Sequence, residues 1–358
     1  MATVNYTCPS CGAPLTFNPD KQMFCCEYCL SEFSDKYIQD YYSKAESKAS
    51  EEEVREGKAK QNTKEEQAEE AVVYTCPSCG AEVITTATTA ATTCFYCQNP
   101  VVLGGRLSGE YLPDRVVPFE LSKEKVIDKF MEMCKKKWFL PKFFADKKNF
   151  EKMTGVYFPY WYVDKQLQAD MTATGKKVST WRDRNREYTE TKIYDVYRSG
   201  DIIINNVFER ALKGEDRKVL QSVHPYDLSK AKKFAMSYLS GFQAEKRDLE
   251  KNDVSDTLNN RVSGYAKTLL EGSMGGYTSV NPKSYHEKTD LESWSYTLLP
   301  VWMITYKHNG KIFPYAVNGQ TGKTYGKLPV SFGKLALFSL FVAVVAFILC
   351  FLGGMLLS

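Results

Sequence analysis

Apolar positions along the chain fall into three regimes, and each predicts a different kind of structure. The last regime is the plainest. From Leu335 to Leu357 the sequence LALFSLFVAVVAFILCFLGGMLL carries no charge. As a helix rising about 1.5 Å per residue it reaches about 35 Å, enough to cross a hydrocarbon core of about 30 Å. A buried core helix is seldom apolar on every face for six turns, so the pattern predicts one transmembrane helix. Lys323, Lys327 and Lys334 precede the span, and the positive-inside rule then places the bulk of the chain in the cytoplasm. Met1 to Pro14 contains no apolar signal-peptide core. The expected topology is a single-pass, tail-anchored protein of the cell membrane, with the lipid bilayer as a partner.

The middle regime, about residues 110–330, is the only stretch long enough for a sizeable core. Ser122 is placed to cap a helix carrying Val126, Phe130 and Cys134 at four-residue steps, ending near Trp138 and Pro141. Residues 156–163 and 166–174 read as strands, the second with Leu167, Ala169, Met171 and Ala173 alternating. Asp227 or Ser229 would open a helix closing at Gly241. A longer helix is predicted to carry Val254, Leu258, Val262, Tyr265 and Leu269 and to stop at Gly272. Residues 299–306 and 311–317 flank Asn309-Gly310, a hairpin signal. Helices and strands mixed without regular βαβ alternation predict an α+β domain with an antiparallel sheet. Pro159-Tyr-Trp161 is echoed by Pro300-Val-Trp302, which hints at a repeated half.

The first regime is polar and duplicated. Tyr6 to Ala13 and Tyr74 to Ala81 both read YTCPSCGA, and Cys26-Glu-Tyr-Cys29 and Cys94-Phe-Tyr-Cys97 follow at matching offsets. Between the copies, residues 41–70 are rich in Lys, Glu, Ala, Ser and Gln and too poor in large apolar groups to bury a core. The expected organisation is therefore a ribbon at 1–35, a charged linker at 36–72, a second ribbon at 73–105, the α+β domain at 110–330 and the membrane helix at 335–357.

Each copy has the form C-x2-C, fourteen residues, C-x2-C. Two intervening residues let one turn aim both sulfurs at a single ion, and a short hairpin returns the second pair across from the first. Four thiolates then complete a tetrahedron with Zn–S near 2.3 Å. The expected ligand sets are Cys8, Cys11, Cys26, Cys29 and Cys76, Cys79, Cys94, Cys97, holding two structural zinc ions with no open coordination position. Gly12 and Gly80 free the backbone beside the second cysteine. Disulfides would require an oxidising compartment, and a redox C-x2-C usually sits in a thioredoxin-like context that is absent. Iron–sulfur ligation also takes four cysteines, though its common spacings differ. Cys25 adjoins Cys26, but its counterpart in the second copy is Thr93, so the repeat assigns Cys26 to the metal.

Charge and hydropathy alter this picture at two points. The mean hydropathy of −0.38 averages over the apolar tail. The formal charge of +4 is offset once each four-thiolate zinc centre contributes a formal −2. What remains is near neutral, and a strongly electrostatic nucleic-acid binder is not indicated.

Other signals read as structure. Gly319-Gln-Thr-Gly322-Lys323-Thr324 resembles the end of a phosphate-binding loop, but Val317 stands where its first glycine belongs. Asn318-Gly319 and Thr321-Gly322 read as turn residues, and no nucleotide is expected. Lys135-Lys136-Lys137-Trp138 has the composition of a nucleic-acid patch, yet cations at a helix C-terminus also oppose the dipole. His224, His286 and His308 have no partner at motif spacing, so no catalytic residue is named.

At the paired C-P-S-C-G knuckles, the Pro300–Trp302 strand and the Val317–Gly322 turn, the chain resembles a bacterial family of membrane-anchored proteins. Their tandem zinc ribbons are like that of transcription factor IIB, and some are labelled as relatives of primosomal replication factor Y helicases. The resemblance implies partners of the phage-shock protein A, SPFH and TPM-domain types in envelope-stress assemblies. Helicase activity does not carry over, because the chain lacks the phosphate-binding loop and the length of motor domains. The expected function is a non-enzymatic membrane adaptor, with a nucleic-acid-binding ribbon protein as the alternative.

Overall fold

The computed structural model describes residues 6–43, 72–76, 79, 82–94, 99–107, 111–141, 153–214, 217–308, 311–326 and 328–357. In the first ribbon, strands β1 (Thr16–Asn18), β2 (Met23–Cys25) and β3 (Glu32–Phe33) form a small antiparallel sheet followed by helix α1 (35–43). In the second, β4 (Val72–Thr75) pairs with β5 (Glu82–Thr85), and β6 (Thr89–Thr93) pairs with β7 (Pro100–Val102). Next come β8 (Arg115–Val116), α2 (Lys123–Lys135), β9 (Thr154–Asp183), β10 (Arg186–Arg210) and α3 (Arg217–Ser222). They are followed by β11 (Lys232–Lys233), β12 (Gln243–Glu245), α4 (Lys251–Ser273), β13 (Ser279–His308), β14 (Lys311–Asn318) and β15 (Thr324–Gly326). Helix α5 (Phe332–Leu357) closes the chain.

The main sheet is mixed and mostly antiparallel, in the order β11-β8-β13-β9-β12-β6-β7, with β10 on β9, β14 on β13 and β15 on β14. The strands of the second ribbon thus extend the sheet: Ala91 of β6 lies opposite Ala244 of β12.

The Pro-x-Trp echo marks a local two-fold axis. Central β9 and β13 run antiparallel, with Phe158 opposite Leu299 at the axis. On one side β12 lies parallel to β9, placing Gln243 opposite Val156 and Ala244 opposite Tyr157. On the other side β8 lies parallel to β13, placing Arg115 opposite Thr297 and Val116 opposite Leu298. The same correspondence extends to polar contacts. Trp161 Nε1 donates to the Leu249 carbonyl at 2.9 Å, and Trp302 Nε1 donates to the Leu121 carbonyl at 3.0 Å. The Ala211 amide donates to the Pro159 carbonyl, and the Gly319 amide to the Pro300 carbonyl. Helices α4 and α2 begin at Lys251 and Lys123, each two residues after the leucine whose carbonyl the tryptophan holds. The domain is therefore two copies of a β–α–β-hairpin unit, β8-α2-β9-β10 and β12-α4-β13-β14.

The core lies where the two units meet. Phe119 stacks on Phe242 at 4.2 Å and meets Tyr157 and Trp302 edge-on or tilted at 5.0 Å. Helix α2 buries Val126, Phe130 and Cys134 as its spacing predicts, and Ile127 beside them, with Phe130 against the Tyr315 ring at 4.6 Å. Beyond the core, β9 continues as one strand where two were expected. At about 3.3 Å per residue it approaches 100 Å in length. Its outer half, with β10 and part of β13, forms a long arm: α4 covers the face of Leu167, Ala169, Met171 and Ala173, and from Thr180 outward the residues are exposed.

Two helix expectations are corrected. Residues 227–241 form two 3₁₀ turns, Leu228–Lys230 and Met236–Leu239, around β11. Asp227 does cap the first turn, accepting from the Ser229 amide, but Lys232 and Lys233 then pair as a strand with Val116 and Arg115, and that extended backbone interrupts any single helix through the segment. Helix α4 buries Val254, Leu258, Val262, Ala266 and Leu270, while Tyr265 and Leu269 are exposed. The buried line keeps to four-residue steps, leaving those two side chains about a quarter-turn away. The helix also passes Gly272 and ends at Ser273, with Gly276 in the left-handed region at φ +89°. The predicted hairpin forms, with His308 opposite Lys311; Asn309 and Gly310 lie outside the described residues.

Candidate metal centres

The first cluster rests on two knuckles that share one hydrogen-bond pattern. In one, the Cys8 amide donates to the Ala13 carbonyl at 2.6 Å, and the Gly12 amide returns to the Cys8 carbonyl at 2.8 Å. In the other, the Cys26 amide donates to the Ser31 carbonyl at 3.0 Å, and the Leu30 amide returns to the Cys26 carbonyl at 2.9 Å. Each turn needs a left-handed residue after its second cysteine: Gly12 at φ +75° and Leu30 at φ +60°. Glycine adopts that conformation freely and leucine does so at a cost. The β1–β2 hairpin brings the knuckles face to face, with Cys8 Sγ 3.5 Å from Cys29 Sγ and Cys11 Sγ 3.5 Å from Cys26 Sγ.

All four sulfurs lie within 4.8 Å of one another. Sulfurs bound tetrahedrally at about 2.3 Å from one ion stand about 3.8 Å apart, so the donor set fits a metal ion of that size. The Cys29 thiol is shifted toward its thiolate. The Ser31 side chain beside it holds the thiol down to about 6, aided by the Ser31 backbone. Cys25 lies in β2 opposite Thr16, its sulfur 3.9 Å from the Met23 carbonyl and outside the cluster.

In the second ribbon Cys76, Cys79 and Cys94 form the corresponding group, all within 4.8 Å, with Cys79 and Cys94 sulfurs 3.8 Å apart. The Cys94 amide donates to the Asn99 carbonyl at 3.0 Å, as Cys26 does to Ser31. Cys97, the expected fourth ligand, lies outside the described residues. Both clusters could hold metal ions.

Neither cluster is remote from the sheet. Cys8 and Cys26 belong to the same apolar cluster as Phe17, Phe24 and Tyr238, whose rings meet at 5.3 to 6.2 Å. Asp35 accepts from the Tyr238 hydroxyl at 2.6 Å and from Lys232 Nζ at 2.9 Å. Its carboxyl is held below the usual range, first by that hydroxyl and then by the lysine. Buried Arg106 braces the second ribbon, donating to the Thr86 and Thr89 carbonyls at 2.6 and 2.7 Å.

The remaining candidates are placed plainly. The 318–323 segment is a folded turn. Asn318 Oδ1 accepts from the Gln320 and Thr321 amides, and Gln320 Nε2 donates to Glu120 and to the Asp227 carbonyl. A Cβ on Gly319 would meet the Phe119 ring at 2.4 Å, so this glycine serves packing. His224 is buried against Phe208 at 3.7 Å, and burial pushes its pKa down to about 3. It is therefore neutral at physiological pH. His286 is exposed on β13 opposite Asp170. Sequence reasoning missed the exposed rim at the base of α5, where Trp138, Phe139, Lys334, Leu337 and Phe338 line an apolar groove of about 530 Å³. Its signal was Lys135-Lys136-Lys137-Trp138, which reads equally as a helix end.

Helix α5 is long and apolar enough to span a membrane, and no residue of its apolar window, Phe332–Leu349, is buried. The chain is similar to YdjG of Bacillus subtilis (strain 168), described as an uncharacterized protein. The two are 31% identical over 235 residues, which make up 66% of this chain and 69% of YdjG. No protein-family model matches the chain. No solved structure matches it.

Proposed function

The chain belongs to the same family as YdjG of Bacillus subtilis, and from that premise we propose a membrane-anchored adaptor whose ribbons are folded around two structural zinc ions. One observation carries the reading: the apolar window of α5 lies bare beside a body whose own core is closed over by sheet and helices. A core helix of a soluble domain would be covered. In a bilayer that surface faces acyl chains and the cost of its exposure vanishes. Zinc supplies cross-links to domains of about 30 residues that bury too little apolar surface to fold alone. Cys8, Cys11, Cys26 and Cys29 would hold one ion, and Cys76, Cys79, Cys94 and Cys97 the other. The reading assigns no catalytic step to any residue.

The partner-facing element in this reading is the arm. β10 offers an outer edge with Ile193, Tyr197 and Ile203 exposed, a surface that another chain can cover by strand addition or side-chain packing. The phage-shock protein A, SPFH and TPM-domain types are the first partners to seek, on the resemblance of the knuckles and turn. The test is lysine crosslinking in native membranes followed by mass spectrometry. The expected result is a chain that stays in the membrane after alkaline washing and crosslinks to a second protein through Lys176, Lys177 or Lys192. A chain released by the wash, or an arm that yields no partner, counts against the reading.

A second reading, nucleic-acid binding, draws on the arm tip. There Trp181 stacks on Tyr188 at 5.8 Å, near Arg182, Arg184 and Arg186. Phosphate contacts would make affinity fall steeply as salt rises. Tight, salt-sensitive retention of single-stranded DNA or RNA in a filter-binding assay would favour this reading over the adaptor.

A further inference from the structure

The turn that ends α2 is fastened to the first turn of α5. The Ser331 amide donates to the Phe139 carbonyl at 2.7 Å, and Lys334 Nζ donates to the Leu140 carbonyl at 2.7 Å. The Phe139 ring meets Phe338 edge-on at 5.4 Å. This clamp turns Trp138 outward, 75% exposed, between two apolar grooves of about 530 and 440 Å³, the first running along α5 as far as Val344 and the second reaching Phe338.

Three lysines, Lys135, Lys136 and Lys137, precede it and are all exposed. Lys136 pairs with Glu132 at 3.1 Å, one turn back on α2, and both side chains are so exposed that the pair has little strength. Lys334 is the last charge before the uncharged span. An exposed indole and a row of ammonium groups beside the first turns of an apolar helix match the chemistry of one environment. Tryptophan settles at the boundary between headgroups and acyl chains, and lysine stems reach back to anionic phosphates. A helix C-terminus needs a cation but has no use for an exposed indole, so dipole compensation leaves Trp138 unexplained.

We infer that residues 135–139, with Lys334, form a second membrane contact that docks the sheet body onto an anionic phospholipid leaflet. The inference rests on the α5 anchor, to which the surface is continuous. The body is then held against the bilayer at a fixed orientation.

Full-length protein reconstituted into vesicles of phosphatidylcholine and phosphatidylglycerol tests this. The probe is phosphatidylcholine brominated on the acyl chain near the headgroup, which quenches nearby indoles. The chain has five tryptophans and none lies in α5, so docking should quench about one-fifth of the signal. Trp138→Leu should abolish that quenching while leaving the fold intact, because the side chain is exposed. Combined Lys135→Glu, Lys136→Glu and Lys137→Glu should reduce the quenching in anionic vesicles. A chain that floats with the vesicles but shows no Trp138-dependent quenching overturns the docking and leaves the anchor standing. Quenching unchanged by charge reversal overturns the anionic headgroup as the ligand. A chain that fails to float with the vesicles overturns the anchor, and the docking with it.

Discussion

Cys25 and Cys26 differ by one position, and that position decides which sulfur reaches the metal. Cys25 ends a strand and turns back toward Met23; Cys26 opens the knuckle and joins the cluster. Cys26→Ser should therefore lower the bound zinc from about two ions per chain to about one, whereas Cys25→Ser should leave two, as read by mass spectrometric metal analysis. The opposite pattern would mean that the strand register is wrong. The choice is legible in the repeat itself, because Thr93 stands where a second Cys25 would be. Leu30 is not legible in that way. Its left-handed backbone follows from the knuckle's hydrogen bonds, which only the folded turn displays, and its side chain is apolar where the other knuckle has Gly12.

At the scale of elements, periodicity identifies what burial organises and misses what hydrogen bonding organises. Helix α2 lies at its predicted place because Val126, Phe130 and Cys134 face the core. Past Lys176, β9 shows no apolar alternation, since its tip is held by the ladder to β10 rather than by a covered face. The two-fold repeat is visible in the sequence only as two Pro-x-Trp triplets. What the halves share beyond these is a set of backbone roles, such as the carbonyls of Leu121 and Leu249, which any residue can fill.

The contact between α1 and the sheet body belongs to this scale too, and it depends on pH in a definite direction. The Asp35 carboxyl titrates lower when folded, because its anion accepts from Tyr238 and Lys232. A depressed carboxyl contributes stability above its unfolded pKa of about 3.9 and loses it as pH falls through the lower folded value. Asp35→Asn should cost about 1 kcal/mol from pH 5 to 8, and the difference from the unmodified chain should shrink toward zero below about pH 4. Urea unfolding of the solubilised protein across that range measures it. A difference constant down to pH 3 would rule out the charge as its source.

For the whole molecule, the question is whether the ribbons are separable beads or part of the body. Composition changes along the chain suggest boundaries, but the apolar contacts run across them. Phe17 and Phe24 pack on Tyr238, Ser240 Oγ donates to the Leu15 carbonyl, and β6 adds to β12. Removing zinc should therefore disturb more than the ribbons. With the knuckles released, the β1–β2 hairpin loses its closure and the two phenylalanines lose part of their cover, a change of about 2 kcal/mol by area. In a body of this size that lowers the unfolding midpoint by about 5 °C. The native tryptophans report it without labels, because Trp138, Trp161, Trp181, Trp294 and Trp302 all lie outside the ribbons. Chelation that strips both ions yet leaves the tryptophan-monitored midpoint unmoved would show that the ribbons fold as independent units. A lowered midpoint, restored by adding zinc back, would show that metal in the first hundred residues helps to hold a sheet built from the next two hundred.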